Sequence, residues 1–550
     1  MEPQSSVVLT PGTESENGSS SDKEKDHKPI VEHKISKETE LKDEKMSTTT
    51  VHPSPIIPAF DLVEAAEKLL ADAKKLKATL DSNASAADSK PNGANHRAPV
   101  PPSPEEMALR SRIAKLGKKI AFETAPPMAL IKSDWVVVAE TAAWNIFLHW
   151  RAFDHIPLNG SISIADLARA IKSDESLVSR IAGMLISTGK LIGSRLDGDV
   201  SKPPTHISHS RVSPLLRTNT SPATAAFAIV SFGNGMKGFA KWPEFFATYD
   251  RREPHPSNKS IVVYEGGGAL KTITVGRSDI QNKVFVPTPF SLGWGHPELK
   301  PWEVKARYPE YARHFELAMA AKDKGAQGAL GGDLGVDGYR GVNSEDPSRK
   351  FSLSWLADLS KKMQQGTDGL KPLVVDVGGG LGHFLAHLLG EIPEVKAQQC
   401  ILQDRPEVIV QVAKNIEGGD DKLKGVKTIA HDFFNAQPDE TKGAAVYILR
   451  RVLLDYCDEQ AVEILKHLRD AVHGSDGKVV IMEGVLLDEP IPENRLVDMV
   501  MMNLGGKLRN EEGYRKLCTM AGLKVTGYWV DVEGASCVVE CVEEKEVAEE

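Results

Sequence analysis

The chain has 550 residues, 41% of them hydrophobic, with a formal net charge of −9 and five cysteines. That length holds more than one domain, and the mild acidity gives no general attraction to nucleic acid or anionic membranes. No apolar run approaches the ~20 residues of a membrane span. The cysteines (Cys400, Cys457, Cys518, Cys537 and Cys541) are odd in number and scattered, mostly in apolar surroundings. They suit reduced core thiols of a cytoplasmic protein, and the polar N-terminus shows no secretory signal.

Residues 1–54 are rich in Ser, Thr, Glu, Lys and Asp, too polar to offset chain entropy by burial, and are expected to form a disordered tail. Leucines and alanines at helical spacing predict a helix over 56–80, and the Ala, Ser, Asn and Pro of 82–104 predict a linker. Residues 105–350 turn helical. The run 135–150, WVVVAETAAWNIFLHW, is apolar nearly all round, a helix to be buried in a core or against a second subunit. A short helix opening at Ser163, a second over 174–189 and a hairpin entered at Lys190 follow winged-helix arithmetic. Arg169, Lys172, Arg180, Lys190 and Arg195 there stand against Asp166, Asp174 and Glu175. That is too balanced for a helix that must neutralise several phosphates, so this region reads as a scaffold. Residues 203–320 carry aromatic anchors (Phe232, Trp242, Phe246, Phe290, Trp294, Trp302), with an insertion over 264–283 and a glycine-rich, lid-forming loop over 325–346.

Residues 371–389, KPLVVDVGGGLGHFLAHLL, organise the remainder. A short β-branched run suits a strand buried on both faces, followed by Gly378, Gly380 and Gly382 and then a helix. Glycines at such a turn allow close backbone approach to a ligand, and the helix start offers free N–H groups. An unliganded tight turn has the same pattern. About twenty residues on, a second apolar stretch ends in Asp404, where an acid can bond ribose hydroxyls. The spacing is GxGxG and carries no Walker lysine, favouring a nucleoside without pyrophosphate over NAD or ATP. Strands over 426–430, 444–449 and 478–482, helices over 459–472 and 511–521, and strands over 524–530 and 536–541 complete an open, mostly parallel α/β sheet. The last two strands predict an antiparallel hairpin at one edge. No His/Cys/Asp cluster has metal-ligand spacing, so no metal is expected.

DVGGGLG (376–382), QDRPEVI (403–409), HDFF (431–434), YILRRVLLDYCDE (447–459) and NLGGK (503–507) occur in that order. Together they resemble the plant caffeic-acid-type and fungal polyketide O-methyltransferases, class I enzymes dependent on S-adenosyl-L-methionine, over residues 105–541. The resemblance implies a Rossmann-like doubly wound sheet in 351–545, preceded in 105–350 by an all-α, winged-helix-like dimerisation and substrate domain. It also implies a homodimer acting on a small molecule. Asp376, Gly378, Gly379, Gly380 and Gly382 then pass under the amino-acid end of the cofactor, and Asp404 takes the ribose hydroxyls. Asp432 and Phe433 flank adenine, and Arg450 is a basic cofactor contact. Turn capping by Asp404 and Asp432, and a surface salt bridge for Arg450, are the purely structural readings.

The pattern breaks at the general base. Where the family has histidine in an H-D-W or H-D-Y triplet, this chain has Leu454-Asp455-Tyr456. Glu483 matches the first acid that orients that histidine, but the second falls on Leu508. Losing a general base costs about 10²–10⁴ in rate, roughly 3–5 kcal/mol, and a phenol of pKa near ~10 stays protonated at neutral pH. An acidic acceptor, a carboxylic acid or a 1,3-dicarbonyl enol, removes the need. His206, His209 or His296 from the helical region could reach a pocket containing Met499, Met502 and Asn503. The alternatives to an O-methyltransferase of small secondary metabolites are a cofactor-binding enzyme that moves no methyl, pericyclase- or dehydratase-like, and a catalytically dead partner protein.

Overall fold

The computed structural model describes residues 60–88, 103–195, 199, 201–248, 251, 260–265, 269–274, 287–323, 342–343, 345–346, 348–365, 372–419, 421–488, 491–530 and 536–544. The expected tail, most of the linker, the second half of the insertion at 264–283 and most of the loop at 325–346 lie outside these residues. Two compact units result, Met1–Ala125 and Pro126–Glu550.

In the first unit, helix Leu62–Asp88 runs eight residues beyond the expected end. It packs on helix Pro104–Thr124, which begins with Ser103 accepting the Glu106 N–H and a proline in the first turn, an N-terminal cap of the usual chemistry. Ala65 and Leu109 are buried, and the Arg112 guanidinium forks onto both Asp72 oxygens at 3.0 Å.

The second unit opens with helix Pro127–His149. Only its C-terminal end is buried, through Ala143, Phe147 and Leu148, whereas Trp135 is 78% exposed and Val137 59%. Helices Ile164–Ala170 and Glu175–Ser187 follow, capped by Ser163 and Asp174. Strands β1 (Ile162–Ser163), β2 (Leu191–Ser194) and β3 (His206–His209) form a small antiparallel sheet ordered β1-β3-β2. The region is therefore not all-α, and a further hairpin, β4 (Ser260–Glu265) with β5 (Ala269–Thr274), brackets the glycine run.

The large sheet has eight strands: β6 (Val342–Asn343), β7 (Val374–Val377), β8 (Cys400–Asp404), β9 (Lys427–Ala430), β10 (Val446–Arg450), β11 (Lys478–Gly484), β12 (Leu523–Val530) and β13 (Ser536–Glu543). Their order is β6-β12-β13-β11-β10-β7-β8-β9, with β9 to β11 parallel across the sheet. The closing pair is antiparallel as expected, but β13 inserts between β11 and β12, and β6 covers the outer edge of β12. Both faces are buried. Val375, Tyr447, Leu449 and Ile481 meet helices Asp458–Val472 and Glu511–Met520 on one side. Val374, Leu402, Ile448 and Val480 meet helix His383–Glu391 on the other. All five cysteines are free and buried. Among the described residues, no helix is long and apolar enough to cross a membrane and no cluster of metal-binding side chains occurs.

Candidate active site

The chain leaves β7 outward to β8 and β9, then returns to β10 on the other side of β7. Ligands of open α/β sheets bind at such a reversal, outside the strand C-terminal ends. Two turns flank it here, one after β7 and one after β10.

In the first, the Gly378 and Gly379 N–H groups both donate to Gln403 O, at 2.9 and 3.1 Å. The Gly380 N–H donates to Asp404 Oδ2 at 2.8 Å, and the Arg405 N–H donates to Asp404 Oδ1 at 2.8 Å. Gly380 has φ 59°, and a Cβ built on it meets nothing within 4 Å. The turn therefore opens onto empty space, and the positive φ is what excludes larger residues. A Cβ on Gly378 would lie 3.0 Å from Val452 Cγ2 and 3.4 Å from Phe433 Cε1, so those two side chains wall the turn. Burial raises the Asp404 carboxyl above its ordinary range, against the pull of its two N–H donors and of the Arg405 and Lys305 charges. Each carboxylate oxygen keeps acceptor capacity. Asp376 is buried within β7.

Phe433 stands edge-on to Tyr456 at 5.8 Å. Asp432 Oδ1 accepts the Phe434 N–H at 3.1 Å, so this carboxylate already caps its own turn. Arg450 ends β10 opposite Met482.

The second turn, Val452 to Tyr456, carries Leu454, where the resemblance would place a histidine. Glu483 at the end of β11 is 1% exposed. Its Oε1 accepts the N–H groups of Val452 and Leu453 at 2.8 and 2.7 Å, while Oε2 has no partner among the described residues. Burial pushes its pKa up to about 8, opposed by those two N–H groups, raised further by Asp455 and lowered by Arg509. Leu454 sits in the single helical turn Leu453–Asp455, and its carbonyl accepts the Lys507 N–H at 3.0 Å. Leu508 is buried, its Cδ2 3.1 Å from where a Cβ on Gly484 would lie. Glu483 thus holds the backbone of the turn that carries Leu454, and Leu508 packs beside Gly484, the next residue along β11.

The other expected pocket residues divide. Asn503 is wholly buried: its Oδ1 accepts the Trp242 indole N–H at 2.6 Å, and its Nδ2 donates to the Asn234 and Gly235 carbonyls at 3.2 and 3.3 Å. It clasps the π-turn Phe232–Met236, a feature frequent at functional sites. Met499 and Met502 lie half-buried on the same helix, Pro492–Leu504. His206 and His209 serve the small sheet. His206 bonds Thr205 Oγ1 at 3.1 Å, and His209 bonds Ser213 Oγ at 2.9 Å and Ile156 O at 3.1 Å. Burial lowers the His209 pKa, and with both ring nitrogens engaged it has none left for a substrate. His296 bonds the Tyr308 hydroxyl at 2.9 Å.

Two residues have no signature in the sequence. Arg509, 3% exposed, binds Leu453 O, Tyr456 O and Asp458 Oδ1 at 3.0, 2.8 and 2.9 Å, tying down the turn that carries Leu454. Trp302, expected only as an aromatic anchor, lies under the Arg405 guanidinium at 5.3 Å, and its indole partly offsets the rise that burial causes in the Tyr456 pKa.

A family model described as "O-methyltransferase domain" matches residues 360–524. The methyltransferase fsa4 of Fusarium sp. (strain FN080326) is 30% identical over 405 residues, covering 73% of this chain and 92% of that protein. The chain belongs to this methyltransferase family. Among solved structures, LepI in complex with SAM aligns with TM-score 0.56 at 18% identity, covering 86% of this chain and all (100%) of that one. A structure titled "A Pericyclic Reaction enzyme" aligns with TM-score 0.55 at 19% identity, covering 79% and 94%. The family's cofactor is S-adenosylmethionine. The cradle suits it: a glycine turn open at Gly380, an acid at the end of the second strand and an aromatic wall at Phe433.

Proposed function

We propose that this methyltransferase methylates an oxygen of a small secondary metabolite, a polyketide-derived phenol, enol or acid, at the reversal between β7 and β10. In this reading the turn Gly378 to Gly382, beside Asp376, holds the amino-acid end of the cofactor and Asp404 the ribose. Phe433 and Asp432 flank adenine, and Arg450 adds a positive charge. Bound S-adenosylmethionine supplies an electrophilic sulfonium methyl. The chain orients the acceptor against the apolar floor of Leu454 and Leu508 and keeps water out. The helical region that precedes the large sheet within the second unit shapes the acceptor pocket and pairs two copies, and residues 351–545 bind the cofactor. The exposed apolar run on helix Pro127–His149 supports the homodimer, and five free, buried cysteines suit the cytosol.

The observation that carries the reading is the glycine turn bonded to Asp404 beside a buried Glu483. Incubation with methyl-labelled cofactor and a panel of phenols, enols and carboxylic acids tests it. Label should move to oxygen, fastest for the most acidic acceptors; cofactor uptake without transfer to any acceptor would refute it.

A second reading is favoured by the two leucines around Glu483. A fixed positive sulfonium over an apolar floor stabilises developing negative charge with no methyl moving. Turnover of a polyene or quinone methide without demethylated cofactor accumulating would support it.

A further inference from the structure

Helix Pro301–Arg307 carries Trp302 in its first turn and Lys305 in its last. Trp302 lies 5.3 Å from the Arg405 guanidinium, after β8, and its indole acts on the Tyr456 hydroxyl, after β10, so this helix sits by the end of β8 and by the turn after β10. Lys305, one helical turn on, projects its ammonium 4.0 Å from the Trp302 ring centre and 3.8 Å from that of Phe315. The charges it feels come from every element around it: Asp404 at the end of β8, Arg405 beyond it, Asp455 beside Leu454, and Glu316 on helix Pro309–Asp323. We propose that Lys305 is the proton acceptor for the methyl-accepting oxygen, standing in for the histidine that Leu454 has displaced.

The proposal rests on the methyltransferase reading and names its missing base. A base in this position must be neutral before transfer and tolerated as a cation afterwards. Burial and the Arg405 guanidinium bring the Lys305 amine down to about 7, against the carboxylates, so a useful fraction is unprotonated at neutral pH. The two ring faces and the carboxylates of Asp404 and Asp455 then hold the ammonium that forms. The acceptor O–H bond breaks, its proton binds the amine lone pair, and the oxygen electron pair forms the bond to methyl. The positive charge lost by the sulfonium as it becomes a neutral thioether reappears on Lys305, so charge balances. His209 spends both ring nitrogens on Ser213 and Ile156, and His296 gives Nε2 to the Tyr308 hydroxyl.

Two measurements test this on the full chain. Competitive trace acetylation from pH 6 to 11, read by peptide mass spectrometry, gives the titration of each lysine without turnover. Lys305 should become reactive about three pH units below the ordinary ~10.4 of lysine; a midpoint at that ordinary value overturns the proposal. Lys305→Arg and Lys305→Met should each lower kcat for a phenolic acceptor about 10²–10⁴-fold, and lower it less for a more acidic enol. Affinity for S-adenosylhomocysteine, by calorimetry, should stay within about threefold. Full activity in Lys305→Arg, or loss of cofactor affinity in step with rate, overturns the proposal and leaves the methyltransferase reading standing. A wild-type protein that binds cofactor but methylates no acceptor sinks that reading, and this proposal with it.

Discussion

Glu483→Gln isolates the most unusual acid in the fold. The native carboxyl titrates at about 8 in place of 4.5 because it is buried, so the folded state holds a proton that the unfolded chain has released. Stability is therefore undiminished below pH 4.5, falls as pH rises through the interval up to about 8, and levels off above it. At about 1.4 kcal/mol per pH unit, the full displacement amounts to about 5 kcal/mol, and about 3–4 kcal/mol of it falls between pH 5 and 8. Glutamine is nearly isosteric with the neutral acid. Its carbonyl oxygen can still accept the Val452 and Leu453 N–H groups that Oε1 accepts now. Urea unfolding of wild type and variant at half-unit pH steps gives the comparison. The variant's relative stability should rise steadily across that window and then stay constant. A pH-independent difference would mean that Glu483 is ionised in the folded protein, and the picture of a buried neutral acid would be wrong.

Asp404→Ala removes the acceptor of the Gly380 and Arg405 N–H groups and the proposed ribose contact. With charged hydrogen bonds at about 1.5–3 kcal/mol, calorimetry should show S-adenosylhomocysteine binding about 10–150-fold more weakly; unchanged affinity would refute the assignment. Arg509→Ala leaves Leu453 O, Tyr456 O and Asp458 without their buried partner and should cost about 3–5 kcal/mol in urea unfolding. A loss below about 1 kcal/mol would show the turn to be held by other means. Trp135→Glu places a charge in the middle of the exposed apolar run on the first helix of the larger unit. Sedimentation velocity should show a dimer in wild type and a monomer in the variant, and equal sedimentation of the two would refute that surface as the contact.

What could be read ahead of the structure was what short-range periodicity encodes. The run VVDV followed by spaced glycines specifies a buried strand and an open turn whatever the rest of the chain does, and Asp404 lands beside that turn because β7 and β8 pair in register. Leu454, Glu483 and Leu508 could be aligned as a set only through the family motifs that the resemblance supplies. The failures have a common cause. β6 is two residues long and exists only because Trp529 and Val530 offer it an edge. The insertion of β13 between β11 and β12 depends on which edge the chain returns to, and that leaves no mark on either strand. His209 and Asn503 look equally available in the sequence, and only the fold shows both fully engaged. The apolar helix over 135–150 is expected in a core or against a second subunit, and among the described residues its first half is exposed.

Lys305 shows the same boundary from the other side. Nothing distinguishes it locally from other lysines on polar helices, and 150 residues separate it from Asp455. Its character comes from where the helix lands: two aromatic faces below, a guanidinium opposite, and carboxylates from two strand ends. Removing the histidine from the turn after β10 takes proton acceptance off the large sheet. An amine from the helical region can restore it only if that region is docked over the site.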